Sequence, residues 1–186
     1  QMKKLSIISL SFTLLIAGCT KDISSLNVDP KSSSTAIPTA VFLQGEKNLV
    51  DANTSTSVGS APFRVLSQEW TENAYTYEAN YNLAAYQSPD GWWNSLYVNA
   101  LHNLDEAKQS FPVNFKGDAV TLRNDLDITD LLEVYTYYLL IGTYGDVPYS
   151  QALNTEIPFP KYDDAKTIYT DLLIRVDSCI SGLNTS

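Results

Sequence analysis

Apolar residues recur at intervals of three and four along most of this chain, which is the spacing of one face of an α-helix. The pattern predicts five helices: one that begins at Pro38, then about 61–70, 93–110, 125–143 and 163–183. No segment alternates apolar and polar residues convincingly at period two. The sequence therefore predicts an all-α fold.

The third and last helices have the clearest apolar stripes. These are Trp93, Leu96, Tyr97, Ala100, Leu101, Leu104 and Ala107 in the third, and Ile168, Leu172, Val176, Cys179, Ile180 and Leu183 in the last. The third helix is expected to end before Pro112. Gly145 offers a left-handed cap to the fourth helix, and Asp163 or Asp164 can cap the last one. Gly45 weakens the prediction of the first helix.

The N-terminal residues are typical of an exported lipoprotein. Lys3 and Lys4 precede an uncharged run over 5–17, which is too short to span a bilayer comfortably. The run closes on Leu-Ile-Ala-Gly-Cys, a bacterial lipobox that predicts cleavage before Cys19 and acylation of its thiol. The alternative is an ordinary secretory signal with a chance cysteine.

The chain is thus expected to comprise a signal peptide (1–18), a lipidated polar tether (19–37) and a helical portion (38–186). The tether is rich in Ser, Thr, Lys and Asp, a composition typical of a flexible linker. Loss of Lys3 and Lys4 with the leader changes the formal net charge from −9 to −11. That charge argues against nucleic-acid binding and against broad electrostatic adhesion to anionic lipid.

The cysteines do not indicate a disulfide framework or a thiol enzyme. Once Cys19 is acylated, Cys179 has no intramolecular partner. It lies in an apolar helical stretch, which favours buried packing. A catalytic thiol would need a nearby base, and the one histidine, His102, is far away in sequence.

A segment over 70–82 interleaves aromatic rings with amides and carboxylates. Such rings stack on the C–H faces of sugars, while Asn, Glu and Tyr side chains bind the hydroxyl groups. The candidate ligand-binding residues here are Trp70, Tyr75, Tyr77 and Tyr81. The alternative is that these rings pack between helices with their polar tips in water.

Trp92 is a fifth candidate for ligand binding. Trp93 shares the apolar stripe of the third helix and is expected in the core, whereas Trp92 lies above a polar stripe that includes Asn99 and His102. An indole at the mouth of a polar face can serve as a stacking platform. It can equally cover the loop over 88–91, and the sequence does not separate these alternatives.

Enzyme motifs are lacking, so no catalytic residue, metal or cofactor is predicted. The chain has no glycine-rich phosphate loop, no HExxH and no nucleophile elbow. Asp125, Asp127, Thr129 and Asp130 resemble the start of a calcium loop, but the turn glycine and the terminal glutamate are absent. Helix capping is the expected role of these aspartates.

Four blocks of sequence, in order, resemble the SusD/RagB family. They are Gln-Glu-Trp-Thr-Glu-Asn over 68–73, Trp-Asn-Ser-Leu-Tyr over 93–97, Tyr-Gly-Asp-Val-Pro-Tyr-Ser-Gln-Ala-Leu over 144–153, and Pro-Lys-Tyr-Asp over 160–163 with Ile-Tyr at 168–169 and Leu-Leu at 172–173. The lipobox lies where the family carries one, and Lys21-Asp22 resembles its signal for export to the cell surface. Family members are much longer, so the resemblance covers their N-terminal portion.

The resemblance implies tetratricopeptide-like helix pairs in a superhelical array on the outer face of the outer membrane. Members capture oligosaccharides, or peptides in some branches, for a SusC-like TonB-dependent transporter, and they bind without catalysis. Two other functions stay open. One is a helical scaffold that docks a membrane partner without a small ligand, and the other is a secreted glycan hydrolase, suggested only by acidic residues beside aromatic ones.

Overall fold

The computed structural model describes residues 37–57, 61–114 and 116–183. Its helices are α1 (Pro38–Thr54), α2 (Phe63–Leu66), α3 (Ser88–Asn94), a π-helical segment (Ser95–Leu101), α4 (His102–Asn114), α5 (Ala119–Tyr144) and α6 (Ala165–Gly182). The strands β1 (Val147–Pro148) and β2 (Tyr162–Asp163) pair antiparallel. This confirms the mostly helical, all-α prediction. The predicted signal peptide, Cys19 and almost all of the tether lie outside the described residues.

The long helices pack against their neighbours in sequence, each antiparallel to the one before. Between α1 and the π-helical segment with α4, Asn48 donates a 2.6 Å hydrogen bond to the Asn99 carbonyl, and Phe42 lies 6.4 Å from Phe111. The third helix and α5 also run in opposite directions, as shown by the contacts Lys108–Glu133 and Tyr97–Tyr137. The same holds for α5 and α6, where the contacts are Asp127–Gly182 and Asp130–Arg175. The core lies where these helices meet.

The third helix is longer than predicted. From Ser88 the chain stays helical through the π-helical segment to Asn114, so the expected end before Pro112 is wrong. Pro112 lies in the last turn of α4, where its missing N–H costs the helix one backbone hydrogen bond. Phe111 is buried beside Phe42, and this packing outweighs the local preference of the proline.

The second and fourth helices also differ from prediction. The second is only the short α2, because Gln68 adopts a positive φ of 61° and turns the chain before Trp70. The fourth, α5, begins six residues early at Ala119. Its cap is Asp118, whose carboxylate accepts hydrogen bonds from the Val120 and Thr121 amides at 2.9 Å.

The aspartates that were expected to cap the fourth helix lie inside it. Asp125, Asp127 and Asp130 are all interior residues of α5, so the capping prediction is wrong. Asp127 binds Arg123 one turn away at 2.6 Å. Asp130 belongs to a group of partly buried charges that is described below.

The C-terminal predictions are largely confirmed. Gly145 ends α5 with a positive φ of 77°, and its amide donates to the Ile141 carbonyl. Asp164 caps α6 and accepts a 2.8 Å hydrogen bond from the Thr167 amide. Ile180 was placed on the buried face of α6 but is exposed, because only one of the adjacent positions 179 and 180 can face α5, and Cys179 does so.

Within the described residues, no helix is both long enough and apolar enough to cross a membrane.

Candidate functional site

The four aromatic candidates of the 70–82 segment lie on the surface between α2 and α3. Trp70 is 48 % exposed, and Tyr75, Tyr77 and Tyr81 are 75 %, 42 % and 59 % exposed. These rings are therefore not packed between helices. Their role in ligand binding stays a prediction. We refer to these four residues as the aromatic surface.

Local contacts fix the backbone beneath the aromatic surface. The hydroxyl of Tyr81 donates a 3.1 Å hydrogen bond to the Leu66 carbonyl, and the Arg64 guanidinium lies 5.1 Å from the centre of the Trp70 ring. Glu78 is buried beneath the segment, where its carboxylate accepts a 2.8 Å hydrogen bond from Ser88. The rings are thus presented by an irregular but anchored segment, which limits the conformational entropy lost on binding.

Trp93 packs against the core as expected, although it is only partly buried, whereas the predicted position of Trp92 above a polar face is wrong. Trp92 is only 3 % exposed, and Trp93 is the one that is partly exposed. Trp92 packs edge-on against Phe63 at 5.0 Å, and its indole nitrogen donates a 3.3 Å hydrogen bond to Thr143. Helix α2 and the C-terminal end of α5 cover the face of the third helix that carries Trp92, which the sequence pattern had predicted to face solvent.

Trp92 instead contributes to the wall of a cavity of about 550 Å³. We call it the aromatic cavity, because its wall includes the rings of Phe63, Trp92, Tyr138 and Tyr169. Asn53, Thr143 and Lys166 add polar groups. Sequence analysis missed Phe63, Tyr138 and Tyr169. They come from three separate elements, and only the packing of those elements brings the rings together.

A second group that sequence analysis missed is a set of partly buried charges between α4, α5 and α6. Lys108, Asp130, Glu133 and Arg175 form what we call the charge cluster. Arg175 binds Asp130 at 2.6 Å and Glu133 at 2.7 Å, and Lys108 binds Glu133 at 2.8 Å and also Asp130. Each residue alone looks like an ordinary helix-surface charge, so no spacing pattern in the sequence indicates the cluster.

Burial and pairing shift the pKa values of these groups in opposite directions. Burial alone would raise the pKa of Asp130, but hydrogen bonds from Arg175 and Lys108 outweigh it and lower the pKa well below its ordinary value. In Glu133 burial dominates and raises the pKa. Beside the cluster, burial and a hydrogen bond to Asp171 raise the pKa of Tyr149 to about 12. The charge cluster therefore stabilises the ionised form of Asp130 more strongly than the ionised form of Glu133.

Cys179 lies next to the charge cluster and is buried, as predicted. Its Sγ is 3.4 Å from a carboxylate oxygen of Asp130. Burial and the adjacent carboxylate raise the pKa of the thiol to about 11, so it stays protonated at neutral pH. A protonated, enclosed thiol has none of the features of a catalytic nucleophile. In the part of the chain that the structure describes, no group of three or more His, Cys, Asp or Glu residues is arranged to hold a metal ion.

The Gly-Asp-Val-Pro segment connects α5 with α6 and is held by specific hydrogen bonds. Tyr97 donates a 2.5 Å hydrogen bond to the Pro148 carbonyl, and the carboxylate of Asp163 accepts from the Ser150 amide at 2.7 Å. Asp146 accepts from the Ala165 amide at 2.9 Å. These contacts give the segment a structural role, which is to fix the angle between two antiparallel helices.

Comparison with known proteins identifies a family for this chain. A model of the SusD-like_2 family, described as "Starch-binding associating with outer membrane", matches residues 30–186. The match covers the aromatic surface, the aromatic cavity and the charge cluster. No curated protein matches the chain in sequence. Because the family match extends over most of the chain, this protein belongs to the SusD-like_2 family.

Proposed function

We propose that this protein is a lipid-anchored binder at the cell surface that captures oligosaccharides and passes them to a SusC-like TonB-dependent transporter. Peptides are a second class of cargo for the same role. The observation that carries the proposal is the aromatic surface, in which four exposed rings stand beside amides in a member of a family described as starch-binding.

The aromatic surface has the chemistry for binding sugars. Exposed aromatic rings supply stacking area at low entropic cost, and Trp and Tyr also donate hydrogen bonds. Gln68 lies within hydrogen-bond distance of the Tyr81 hydroxyl, at 3.4 Å, and Asn80 is on the same segment. A sugar ring lying on Trp70 or Tyr81 would therefore have amide groups near its hydroxyl groups.

The N-terminal sequence supports the proposed anchoring and transfer. Acylated Cys19 would hold the protein at the membrane, and Lys21-Asp22 would direct it to the surface. A tether over 19–37 would keep the binder close to its transporter. Tethering raises the effective concentration of the captured ligand at the transporter, so even weak stacking contacts are useful.

The test is affinity for a panel of starch oligosaccharides, other glycans and peptides, measured by calorimetry on the parent and on Trp70→Ala and Tyr81→Ala. We expect each variant to lose about tenfold in affinity for the bound ligand, because one stacking contact is worth about 1 kcal/mol or more. The matched control is Phe159→Ala, which removes an almost fully exposed ring from a different loop. If both variants bind every ligand like the parent, the aromatic surface is not the site.

A helical scaffold is the second candidate function, and a specific observation favours it. Helices α5 and α6 expose large apolar side chains, among them Tyr135, Tyr138, Leu173 and Ile174. Exposed apolar surface of this kind is typical of a site that binds another protein. Co-purification of a barrel transporter, together with no binding in the whole ligand panel, would support the scaffold over the capture protein.

A further inference from the structure

The aromatic cavity has the size of a small-molecule site, and its volume of about 550 Å³ lies within the usual range for such sites. Five helices contribute to its wall: α1, α2, α3, the C-terminal part of α5 and the start of α6. None of the four residues of the aromatic surface lines it. The proposed function therefore leaves this cavity without a role.

Three rings of the cavity wall keep surface that a ligand can cover. Phe63 of α2, Tyr138 of α5 and Tyr169 of α6 are all half-exposed. Trp92, which packs edge-on against Phe63, is the buried ring of the wall, and Leu139 adds aliphatic surface. Aromatic pairs are worth more than the area that they bury, so a wall of this composition favours a ligand that has a ring of its own.

The polar side chains of the wall are largely engaged within the protein. The Thr143 hydroxyl donates a 2.8 Å hydrogen bond to the Leu139 carbonyl and accepts one from the Trp92 indole at 3.3 Å. The Asn53 amide donates to the Leu49 carbonyl at 2.9 Å. A sugar brings several hydroxyl groups that lose water and need new partners, whereas an apolar ring needs none. The wall therefore favours an apolar ring over a sugar.

Lys166 is the only residue of the cavity wall that is charged at neutral pH. It is exposed, and its ammonium group forms no salt bridge with any residue in the described part of the chain. A lysine ammonium group sits on a long flexible stem, so it can reach an anion at the mouth of the cavity.

The carboxylates at the start of α6 do not line the cavity and have protein partners of their own. Asp164 accepts hydrogen bonds from the amide and the hydroxyl of Thr167, both at 2.8 Å. These bonds lower the pKa of Asp164, and Lys166 adds a smaller contribution. Asp146 accepts from the Ala165 amide at 2.9 Å. Within the wall itself, a ligand thus meets one positive charge and no negative one.

We propose that the aromatic cavity binds a small aromatic carboxylate. Its ring lies against Phe63, Tyr138 and Tyr169, and its carboxylate pairs with Lys166. The ring matches the apolar wall, and the anion matches the one charge of that wall. Two sources supply this chemistry, namely a free aromatic acid and the C-terminal aromatic residue of a peptide.

Ligand-observed NMR titrations of the intact protein test the proposal with matched probes. The acid probes are 3-phenylpropionate and N-acetylphenylalanine, the first for a free acid and the second for a peptide end. For at least one of them we expect a Kd of about 1 mM or lower, which a ligand of this size can reach. The tighter of the two identifies the source.

Two further probes separate the ring from the charge. The neutral 3-phenylpropanamide should bind about fivefold more weakly than 3-phenylpropionate, because a partly exposed ion pair contributes about that much. Propionate has the charge without the ring and should not bind detectably. Together these probes show whether both parts of the ligand are recognised.

Gly142→Phe tests whether the probes occupy the cavity. Gly142 is an exposed residue of the wall, and a Cβ atom there would meet no atom within 4 Å. A phenyl ring at this position has room in the fold and would fill part of the cavity, so we expect at least about tenfold weaker binding of the acid and the amide. Ser181→Phe is the matched control, since it adds the same ring to an exposed position of α6 outside the wall and should leave both affinities unchanged.

Lys166→Met tests the pairing with the carboxylate. It should weaken binding of 3-phenylpropionate about fivefold and leave binding of the amide unchanged, so that the two probes bind alike. Lys161→Met is the control for a general effect of net charge. Lys161 pairs with Asp163 and does not line the cavity, so its variant should keep the preference for the acid.

Several results would overturn the proposal: no binding of either acid probe, equal affinity for the acid and the amide, parental affinity of Gly142→Phe, or an unchanged preference in Lys166→Met. Trp70→Ala should bind the acid probes like the parent, because Trp70 is not part of the cavity. Weaker binding by that variant would assign the probes to the aromatic surface. The cavity and the proposed sugar site can therefore fail independently.

Discussion

Leu104 lies so close to Gly45 that a Cβ atom on Gly45 would stand 2.9 Å from Leu104 Cγ and 3.1 Å from the Leu104 amide nitrogen. Leu104 is fully buried in α4, and Gly45 is buried in α1. The two helices can approach this closely only because position 45 has no side chain. The glycine that weakened the prediction of α1 is therefore explained by packing between helices.

Gly45→Ala should destabilise the protein by about 1–3 kcal/mol, the usual cost of adding a methyl group to a filled core. The better helix propensity of alanine offsets part of this, by up to about 1 kcal/mol. Urea unfolding followed by circular dichroism measures the difference.

Gly142→Ala is the matched control for this prediction. Gly142 also lies within a helix, α5, but a Cβ there meets no atom within 4 Å. We expect stabilisation of about 0.5–1 kcal/mol from helix propensity alone. Equal effects of the two substitutions would show that the close approach to Leu104 does not constrain position 45.

Arg175→Met should destabilise the protein by about 3 kcal/mol, because it leaves Asp130 and Glu133 short of their main cationic partner in a buried place. Lys47→Met is the control, since the pair Lys47–Asp51 is exposed and worth about 0.5 kcal/mol or less. Thermal and urea unfolding measure both. A loss for Arg175→Met as small as that of the control would mean that the cluster is solvated in solution.

Asp163 should make stability depend on acid pH. Hydrogen bonds from the Ser150 backbone and from Lys161 lower its pKa from 3.8 to about 2 in the folded protein. A lowered pKa means that the ionised group stabilises the fold above about pH 4, and this contribution disappears as the pH falls to about 2. The difference in unfolding free energy between the parent and Asp163→Asn should therefore be larger at pH 6 than at pH 2.5.

The control for the acid-pH prediction is Glu156→Gln, which removes a carboxylate from the same connection between α5 and α6. Its effect should change little over this pH range. A difference between the parent and Asp163→Asn that stays constant with pH would contradict the lowered pKa.

Trp92→Ala should cost about 3–5 kcal/mol of stability, as expected for truncation of a buried aromatic side chain. Tyr75→Ala should stay within about 0.5 kcal/mol of the parent, because the Tyr75 ring is mostly in solvent. Chemical unfolding of the two variants compares them directly. If Tyr75→Ala were the more damaging, the surface position of the 70–82 segment would be wrong.

Cys19→Ala should move the protein from the membrane fraction to the soluble fraction of expressing cells, because no acyl chain can then be attached. Cys179→Ala is the control and should leave the distribution unchanged. Immunoblots of fractionated cells provide the measurement. A membrane-bound Cys19→Ala variant would refute the lipid anchor.

The fold class and several helix ends could be predicted because they depend on local chemistry. The three- and four-residue periodicity gave the helical class, and Gly145 and Asp164 end and begin their helices through their own backbone and side-chain preferences. Errors arose where a distant contact outweighed a local preference. Pro112 stays helical because Phe111 is held by Phe42.

The candidate site residues likewise show what local sequence can and cannot predict. Exposure of Trp70, Tyr75, Tyr77 and Tyr81 was one of two alternatives that the sequence left open, and the structure places all four rings on the surface. The burial of Trp92 could not be predicted, because the helical stripe does not show which neighbours cover each side of a helix.

The helical class, the order of the helices and the resemblance to an outer-membrane family could all be predicted from the sequence, since they depend on residue spacing and on motifs contiguous in the chain. The aromatic cavity and the charge cluster became visible only once the helices were packed together. Lys108, Glu133 and Arg175 are far apart in the chain and meet only when three antiparallel helices pack. Charges at such separations leave no periodic pattern, because the contacts between them are set by helix packing and not by neighbours in sequence.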